Sequence, residues 1–494
     1  MDFLKKYHKW LSIILTVFIL LIAISGIILN HRQSLSNIDV NRNLLAEKYH
    51  YNNWNNASIK SSLKLNADSI LLYGNIGIWL TDSTFSKIND FTKGFTKGID
   101  NKKIYKIHKT KKTLLAGTLF GLYIYDYNNN QWVKNSFTNN AIMDIAQKQD
   151  TILLLTRSFL YKTVDFKHFN KIQIPAPKGY NNKISMFKTL WVIHSGEIYG
   201  KIGILFTDFI GLVFIFLSIT GIIYWLLPKY VKKSLSKNKK IKRKMKVSRF
   251  SLKWHNKLGW SLIFFLIIST ITGMFLRPPF LIAIANKEVN KIPYTELDTD
   301  NAWFDKLRRL IYDENNDRYI FATIDGLFTS QSTLKDSLLS VNKQPPISIM
   351  GVNVFKQIDN HSFLIGSFEG LFIYNEQSDY VFDYIEKTKY TPRKSRIPIG
   401  RHMVTGFSND FNNEYFFDFD KGATPISNST PFFNMPKTLK NQPISLWNLA
   451  LEFHTMRIWN TVIGNFYILL IPLIGLSLIF ILISGFIVWY KIHR

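Results

Sequence analysis

The chain has 494 residues, of which 47% are hydrophobic, and it carries a formal net charge of +28 at pH 7. It contains no cysteine, and this excludes disulfides, thiolate metal sites and cysteine-ligated iron–sulfur clusters. Four segments are apolar over about 20 residues, the length that crosses the roughly 30 Å hydrocarbon core of a bilayer. They predict a polytopic membrane protein and lie at residues 10–29, 209–227, 258–276 and 458–490.

Long β-rich regions separate these apolar segments and give a predicted order along the chain. The order is transmembrane helix 1 (1–30), a first β region (31–193), transmembrane helix 2 with an interfacial lead-in (194–228), a basic loop (229–257), transmembrane helix 3 (258–276), a second β region (277–453), and transmembrane helix 4 with the tail (454–494). The expected fold class is an α-helical membrane protein with four transmembrane helices, built as a duplicated two-helix unit, plus an exterior all-β domain.

Positive charge is concentrated between the second and third apolar segments. Residues 228–257 contain thirteen Lys or Arg and no acidic residue. Short loops rich in Lys and Arg stay in the cytoplasm, and Lys5, Lys6, Lys9 and the tail 491–494 follow the same rule. Both termini are therefore expected in the cytoplasm of a bacterium, with the helices in its inner membrane and both β regions in the periplasm. Lipid headgroups explain the basic run better than nucleic acid does.

A short repeat recurs in both β regions. A strand, a glycine-containing turn and a second strand rich in Leu, Tyr and Phe start near residues 74, 117, 156, 323, 366 and 408. A period near 40 residues with strand alternation is typical of propeller blades. We therefore expect three blades per region, closing into one split six-bladed propeller; two independent β-sandwich-like domains are the alternative. Neither region contains a nucleophile elbow or a phosphate loop, so no catalytic residue is assigned.

Histidines mark the ends of the apolar segments in a repeated pattern. His8 and His255 each precede a glycine by eighteen residues. His194 and His454 each precede an apolar segment that ends in Thr-Gly or Ser-Gly followed by aromatic residues. Histidine beside a membrane span tends to mark function. Haem fits this pattern best, because two helices can each present an imidazole to one iron while apolar side chains surround the ring.

Several stretches within the four spans carry a family resemblance. They are residues 8–11, 24–31, 194–196, 220–225, 254–259 and 272–273, with Gly203, Gly211 and Leu212. Together they resemble the PepSY-associated transmembrane helix family, to which membrane ferric-siderophore reductases are similar. The resemblance implies b-type haems that carry electrons across the bilayer. It does not extend to the β regions, where no clear PepSY domain is found.

The spans suggest two pairs of iron ligands. His8 and His255 begin equivalent helices on the cytoplasmic side and are expected to form the inner pair. On the outer side, His194 and His454 are equivalent in the repeat, and His31 in place of one of them is the other candidate. His194 lies so far from the inner end of its helix that a straight helix would lift it above the membrane. The outer pair therefore requires an elbow at one of Gly196, Gly200 or Gly203.

Other polar residues near the spans have weaker assignments. Asp208 is expected to be a solvated carboxylate at a helix start, with a proton relay as the alternative. Arg32, Arg277 and Arg457 are placed near the outer interface, where haem propionates and lipid phosphates are equally suitable partners. Pro472 predicts a kink in the fourth span. Surface roles are expected for the histidines of the β regions, which are His50, His108, His168, His361 and His402.

The function predicted from these features is transmembrane electron transfer through two haem b groups, with reduction of a ferric chelate on the outer face. No nicotinamide-binding or flavodoxin-like segment is seen, so the electron donor is expected to be another molecule in the cytoplasm. The alternative is a non-redox, membrane-anchored sensor or assembly protein whose propeller-like domain binds a ligand or partner. A transporter is disfavoured because only four spans are predicted and none carries polar residues in mid-membrane.

Overall fold

The computed structural model describes residues 2–235, 242–348, 350–392, 400–427 and 430–493. The chain forms two compact units. The helical unit comprises Met1–Leu35, Asn182–Asp298 and Leu446–Arg494, and the β unit comprises Ser36–Asn181 and Thr299–Ser445. The β unit is narrower than the predicted regions 31–193 and 277–453, because residues next to the spans fold with the helices. Both regions contribute to one unit and do not form two independent domains.

Ten α-helices are present in the described residues, and all but α7 belong to the helical unit. They are α1 (Asp2–Asn30), α2 (Met186–Ser195), α3 (Gly200–Leu235), α4 (Lys242–Ser261), α5 (Ile263–Phe275), α6 (Phe280–Ile284), α7 (Lys437–Lys440), α8 (Leu446–His454), α9 (Asn460–Ile463) and α10 (Leu470–His493). Short 3-10 helices occupy Arg42–Leu44, Glu47–Tyr49, Ile99–Lys102, Glu197–Tyr199, Arg457–Trp459 and Gly464–Leu469.

Three helical stretches are long and apolar enough to cross a membrane, namely Asp2–Asn30, Glu197–Val231 and Arg457–Ile492. The third predicted span, 258–276, is not one straight helix. α4 and α5 bend by 68° at their junction, because Leu262 leaves helical geometry with φ −107° and ψ 8°. If this bent pair is one broken span, the described part of the chain has four candidate spans.

The predicted basic loop at 229–257 is largely helical. α3 continues through Leu235, and α4 begins at Lys242; residues 236–241 lie outside the described residues. Lys and Arg are good helix formers, and their long side chains can carry the charge away from an apolar helix end into water. The segment therefore combines a high positive charge with helical structure.

The fourth span is interrupted before it becomes one helix. α8 ends at His454, and short helical turns follow as far as Leu469. Met456 and Gly464 break the helical path with φ values of 57° and 56°. Pro472 is the third residue of α10, and proline is tolerated in the first turn of a helix. The 3-10 segment Gly464–Leu469 runs directly into α10, so the winding of the span changes just before Pro472.

An elbow joins α2 to α3. Gly196 adopts a left-handed conformation with φ 82°, and Gly200 follows with φ 57°. A β-carbon at Gly196 would lie only 2.2 Å from the carbonyl oxygen of Gly203, so this close approach requires glycine. The elbow expected at these glycines is present, and α2 does not continue the path of α3.

Twenty-eight strands complete the described structure, and all but β14 and β15 belong to the β unit. They are β1 (Asp39–Val40), β2 (Ile59–Asn66), β3 (Ser69–Gly74), β4 (Gly77–Thr81), β5 (Ile88–Asp90), β6 (Ile104–Lys109), β7 (Leu114–Thr118), β8 (Gly121–Asp126), β9 (Gln131–Lys134), β10 (Asp144–Lys148), β11 (Thr151–Leu155), β12 (Leu160–Thr163), β13 (Asn170–Ile172), β14 (Lys183–Ser185), β15 (Glu288–Asn290), β16 (Leu307–Asp313), β17 (Arg318–Thr323), β18 (Gly326–Gln331), β19 (Leu339–Ser340), β20 (Val352–Gln357), β21 (Ser362–Ser367), β22 (Gly370–Asn375), β23 (Phe382–Asp383), β24 (Thr388–Lys389), β25 (Val404–Ser408), β26 (Tyr415–Asp418), β27 (Gly422–Pro425) and β28 (Ile444–Ser445).

The strands of the β unit form six antiparallel repeats. The second to fifth repeats are separate sheets, β6–β9, β10–β13, β16–β19 and β20–β24. The first repeat, β2–β5, and the sixth, β25–β27, join into one seven-stranded sheet through a parallel bridge between Ser61 and Phe407. β1 pairs with β28. The two β regions are thus joined by strand pairing as well as by packing.

The first strands of the six repeats are neighbours in a cyclic order. β2 contacts β6, β6 contacts β10, β10 contacts β16, β16 contacts β20, β20 contacts β25, and β25 returns to β2. Apolar clusters fill the space between successive repeats; one joins Leu115 and Leu122 of the second repeat to Ile145 and Leu154 of the third. The core of the β unit therefore lies between neighbouring sheets.

The glycine-containing repeat of the sequence falls on hairpins. The starts at 74, 117, 156, 323 and 366 lie at the turn between the second and third strands of a repeat. Gly121 and Gly326, for example, have φ values of 114° and 126°, which residues with a side chain rarely adopt. The sixth start, near 408, is wrong by ten residues because a loop separates β25 from β26, and the equivalent turn pairs Asp418 with Gly422.

Candidate functional site

The four histidines at the span ends come together as two pairs in the helical unit. His8 on α1 and His255 on α4 have ring centroids 6.4 Å apart at an interplanar angle of 87°. His194 in the last turn of α2 and His454 at the end of α8 have ring centroids 6.0 Å apart at 49°. Each pair joins residues from opposite halves of the chain, as the duplicated two-helix unit would require.

Hydrogen bonds to a facing helix orient each imidazole. His8 Nδ1 lies 2.9 Å from the carbonyl oxygen of Ile481 and 3.3 Å from Ser484 Oγ. Because a carbonyl oxygen can only accept, Nδ1 carries the proton and donates, and Nε2 keeps its lone pair. A metal ligand needs this arrangement, since the nitrogen that faces the metal must be unprotonated.

The other three histidines repeat this arrangement. His194 Nδ1 lies 3.0 Å from Ser269 O and 3.2 Å from Thr272 Oγ1. His454 Nδ1 lies 3.0 Å from Ile22 O and 3.3 Å from Ser25 Oγ. His255 Nδ1 lies 3.1 Å from Thr220 Oγ1, and the His255 ring also bonds to the backbone of Leu217.

One sequence spacing supplies all four sets of partners. A carbonyl at position i, a Ser or Thr hydroxyl at i+3 and a glycine at i+4 face each ring. The four sets are Ile22, Ser25 and Gly26; Leu217, Thr220 and Gly221; Ser269, Thr272 and Gly273; and Ile481, Ser484 and Gly485. The hydroxyls were not among the residues predicted for the site, although a Ser-Gly or Thr-Gly pair is visible in the sequence of every span.

Glycine leaves room for each imidazole to different degrees. The distances from an ideal β-carbon to the facing histidine Cε1 are 2.7 Å for Gly273 with His194, 2.8 Å for Gly485 with His8, 3.1 Å for Gly26 with His454 and 3.5 Å for Gly221 with His255. The first two distances are too short for any side chain, whereas the last is ordinary van der Waals contact.

The differences among these distances predict that replacing glycine by alanine destabilises the protein at some of these positions and not at others. Gly273→Ala and Gly485→Ala should each destabilise the protein by about 1–3 kcal/mol, because the added methyl overpacks the contact and displaces a hydrogen-bonded ring. Gly221→Ala should be neutral or stabilising by up to about 1 kcal/mol, because alanine is the better helix former. Unfolding of the purified variants in detergent, followed by tryptophan fluorescence, measures the difference. Equal effects in all three variants would contradict the packing shown here.

His31 belongs to neither pair. Its Nε2 lies 2.7 Å from Asp208 Oδ2, and Asn30 Nδ2 donates to Asp208 Oδ1 at 2.8 Å. Asp208 is buried in the third turn of α3, so the expectation of a solvated carboxylate at a helix start is wrong. The structure therefore brings His194, and not His31, to His454.

Charged residues gather near the second histidine pair. Arg277 lies within electrostatic range of His454, Arg457 and Glu452, and Arg457 forms an ion pair with Glu452. Arg32 instead stacks on Trp447, with 3.7 Å from the guanidinium carbon to the ring centroid. Arg277 therefore lies beside the second histidine pair, Arg457 lies close to Arg277, and Arg32 packs against Trp447.

Each histidine pair offers two imidazoles as candidate metal ligands. In the described part of the chain, no group of three or more His, Asp or Glu side chains is arranged to hold a metal ion. The centroid of an imidazole that binds a metal at about 2.0 Å lies roughly 3.2 Å from that metal. Two imidazoles that share one metal therefore have centroids at most roughly 6.3 Å apart, and the observed separations of 6.4 and 6.0 Å lie near this limit.

Comparison with solved structures gives only distant similarity. The extracellular domain of a one-component system from B. thetaiotaomicron is 11% identical, with a TM-score of 0.35, and the match covers 77% of this chain and 40% of that one. PorZ, a surface component of the type-IX secretion system of Porphyromonas gingivalis, is 11% identical over 76% of this chain and 32% of its own, with a TM-score of 0.30. A Bacteroides thetaiotaomicron protein of unknown function is 8% identical over 78% and 71%, with a TM-score of 0.35.

These TM-scores are too low to assign a shared fold or function, and the chain spans less than half of the first two proteins. No curated protein sequence matches the chain. The family comparison is more informative, because residues 5–491 match the family described as PepSY-associated TM region. This match includes every span and all four paired histidines, so the chain is a membrane protein in contact with the lipid bilayer and belongs to the PepSY-associated TM region family.

Proposed function

We propose that the chain is a di-haem membrane protein that carries electrons across the bilayer and reduces a ferric chelate on the outer face. The observation that carries this proposal is the presence of two half-buried histidine pairs with ring separations of 6.4 and 6.0 Å. One pair is held by α1 and α4, and the other by α2 and α8. Haem held by such a pair would supply one-electron exchange between its ferric and ferrous states.

The residues around each pair suit a flat, apolar group. The facing glycines keep side chains away from the imidazoles, and the Nδ1 hydrogen bonds fix each ring in one tautomer and one orientation. Such outer-shell bonds also raise the basicity of the nitrogen that binds the metal. Arg277 and Arg457 are the residues we assign to carboxylate groups at the edge of a haem held by His194 and His454, since guanidinium groups pair well with carboxylates.

The distribution of positive charge along the chain supports electron transfer from the cytoplasm outwards. The junction of α3 and α4 is rich in Lys and Arg, and such short segments stay in the cytoplasm. His8 and His255 then form the inner pair and receive electrons from a separate cytoplasmic donor, while His194 and His454 form the outer pair. In this scheme the helices lie in a bacterial inner membrane, both termini are cytoplasmic and the β unit is periplasmic.

We interpret the β unit as a six-bladed propeller. The antiparallel repeats and the cyclic order of their first strands support this interpretation. Pairing between the first and sixth repeats supports it further, because the first and last blades of a propeller must be neighbours. In the redox scheme the propeller is the part of the chain available to recognise an exterior ligand.

Reconstituted vesicles test the proposed function. Purified protein is placed in liposomes that contain an internal reductant, and a membrane-impermeant ferric chelate is added outside together with a ferrous indicator. We expect external iron to be reduced at a rate that depends on the protein and stops when the reductant is omitted. The control is liposomes that carry protein freed of haem.

The rival function is a non-redox sensor or assembly protein, for which the histidine pairs would be only structural. Such a protein would bind its exterior ligand equally well without haem and would not connect internal reductant to external iron. Failure of haem-loaded vesicles to reduce several chemically different chelates would overturn the redox proposal in favour of the sensor.

A further inference from the structure

We propose that the centre of the β unit, where the first strands of the repeats begin, binds a small oxyanion that carries carboxylate or phosphate groups. The proposed site consists of Lys60 on β2, Tyr105 on β6, Arg309 on β16 and Asn353 on β20. It belongs to a different unit from the histidine pairs, and it does not depend on haem.

A β-bulge occurs near the start of the first strand in five of the six repeats. The register against the second strand shifts between Ile59 and Ser61, Ile104 and Lys106, Leu307 and Arg309, Val352 and Val354, and Val404 and Gly406. The extra residues in these β-bulges are Lys60, Tyr105, Arg308, Asn353 and Thr405. Bulges re-aim side chains and are frequent next to active sites. Three of these extra residues, Lys60, Tyr105 and Asn353, belong to the proposed site, and Arg309 directly follows the extra residue of the bulge in β16.

Contacts show that these residues meet. Arg309 Nη1 donates to Tyr105 O at 3.2 Å and to Met143 O at 2.6 Å, and Nη2 donates to Asn353 O at 3.0 Å. Lys60 Nζ lies 3.4 Å from Asn353 Oδ1 and 5.7 Å from the centroid of the Tyr105 ring. Residues of the second, third and fifth repeats thus contact the guanidinium group from the fourth repeat, and residues of the second and fifth also contact the ammonium group from the first.

Both cations are buried, and neither forms an ion pair with a carboxylate in the part of the chain that the structure describes. Lys60 is 9% exposed and Arg309 is 5% exposed. Their partners are neutral carbonyl and amide oxygens, and within the described residues Arg309 Nε has no hydrogen-bond partner. The nearby carboxylate of Asp144 accepts from the Leu310 backbone at 3.0 Å and lies 3.7 Å from Lys106. Buried charges are normally paired, so an anion supplied from outside would complete the site.

The electrostatics of Lys60 agree with an open anion site. Burial, with the positive charges of Arg309 and Lys103, lowers the pKa of Lys60 from 10.5 to about 7. The Asn353 amide contributes no negative charge. The unfolded chain therefore keeps this proton up to higher pH than the folded chain does. The cost of the buried charge is fully present below pH 7, and it fades as the pH rises from about 7 towards 10.5.

Equilibrium dialysis of the full chain in nanodiscs tests the proposal, with radiolabelled citrate and inorganic phosphate as separate probes. We expect saturable binding of at least one probe at pH 6, weakened by about tenfold or more at pH 9 as Lys60 loses its charge. Lys60→Met should lower the affinity by at least about tenfold. Lys64→Met, at an exposed position on the same strand, should leave it unchanged, and the neutral trimethyl ester of citrate should not compete.

Stability gives a second readout of the same site. Without anion at pH 6, Lys60→Met should raise the unfolding temperature, because it removes an uncompensated buried charge, and the difference should shrink at pH 9. Saturating anion should raise the unfolding temperature of the unmodified protein by roughly 5 °C and that of the variant by much less. Absence of saturable binding of either probe to the unmodified protein at pH 6 would overturn the proposal, and so would equal affinity at pH 6 and pH 9. Neither result depends on whether the variant folds. A folded Lys60→Met variant that binds as tightly as the unmodified protein would also overturn it.

Discussion

Replacing His8 or His255 by alanine is expected to lower the bound haem from about two groups per chain to about one. Either change removes one axial imidazole from the pair held by α1 and α4. The second pair is carried by α2 and α8 and keeps both imidazoles, so its haem should remain. Pyridine haemochrome measurement on the purified variants, normalised to protein, gives the number of haem groups directly.

The matched control for this loss is His168→Ala, because His168 lies in the β unit with its side chain 84% exposed. This variant should retain the full haem content. Size-exclusion chromatography shows whether each variant is still folded, so that loss of one haem can be separated from general unfolding. Full haem content in both the His8 and His255 variants would refute the inner assignment.

Replacing His194 or His454 by alanine is expected to slow transmembrane reduction of a ferric chelate by at least about tenfold, the lower range seen when a metal site loses even an outer-shell partner. The inner haem should still be reduced by the reductant inside the vesicle, because His8 and His255 and their hydrogen-bond partners are unchanged. Absorbance of the reduced haem and appearance of ferrous iron outside are followed in the same sample.

His31→Ala provides the comparison on the outer side. His31 is paired with Asp208 and lies outside the second histidine pair. This variant should therefore keep both haems, even if its rate of ferric chelate reduction changes. Unaltered reduction by the His194 and His454 variants would show that electrons do not pass through this pair. Loss of a haem in the His31 variant alone would favour the other outer assignment.

The sequence was most informative where a physical requirement leaves a regular pattern. A membrane span must be apolar over a minimum length, and a duplicated unit must repeat its functional residues at similar spacing. The positions of His8, His255, His194 and His454 followed from these two requirements, and the structure places them in two pairs. The elbow was predictable because a straight helix would place His194 at the wrong depth, and glycines were present to form the turn.

Breaks within the spans were not predictable from apolar length. The 68° bend between α4 and α5 occurs at a leucine, and nothing in its side chain distinguishes it from its apolar neighbours. In the fourth span Pro472 was a visible signal, but its effect depends on its position in the helix. A proline in the first turn begins a helix, whereas the same residue further along would kink it.

Contacts between residues far apart in the sequence also could not be predicted from one segment at a time. Asp208 resembled a solvated residue because Asn30 and His31, which bind it, lie far away in sequence. The Ser-Gly and Thr-Gly pairs of the spans were visible, but their hydroxyls acquire a role only when another helix presents an imidazole. In the β unit, the period of the hairpins was visible, whereas the bulges that collect Lys60 and Asn353 leave no mark on the alternation of apolar residues.

The measurement that tests the central claim most directly is a reduced-minus-oxidised visible spectrum of the purified, unmodified chain, combined with pyridine haemochrome quantitation. We expect the spectrum of low-spin b-type haem with two axial histidines and about two haem groups per chain, one for each histidine pair. A folded chain that contains no haem after expression with an adequate haem supply, and that takes up none when haem is added, would contradict the account.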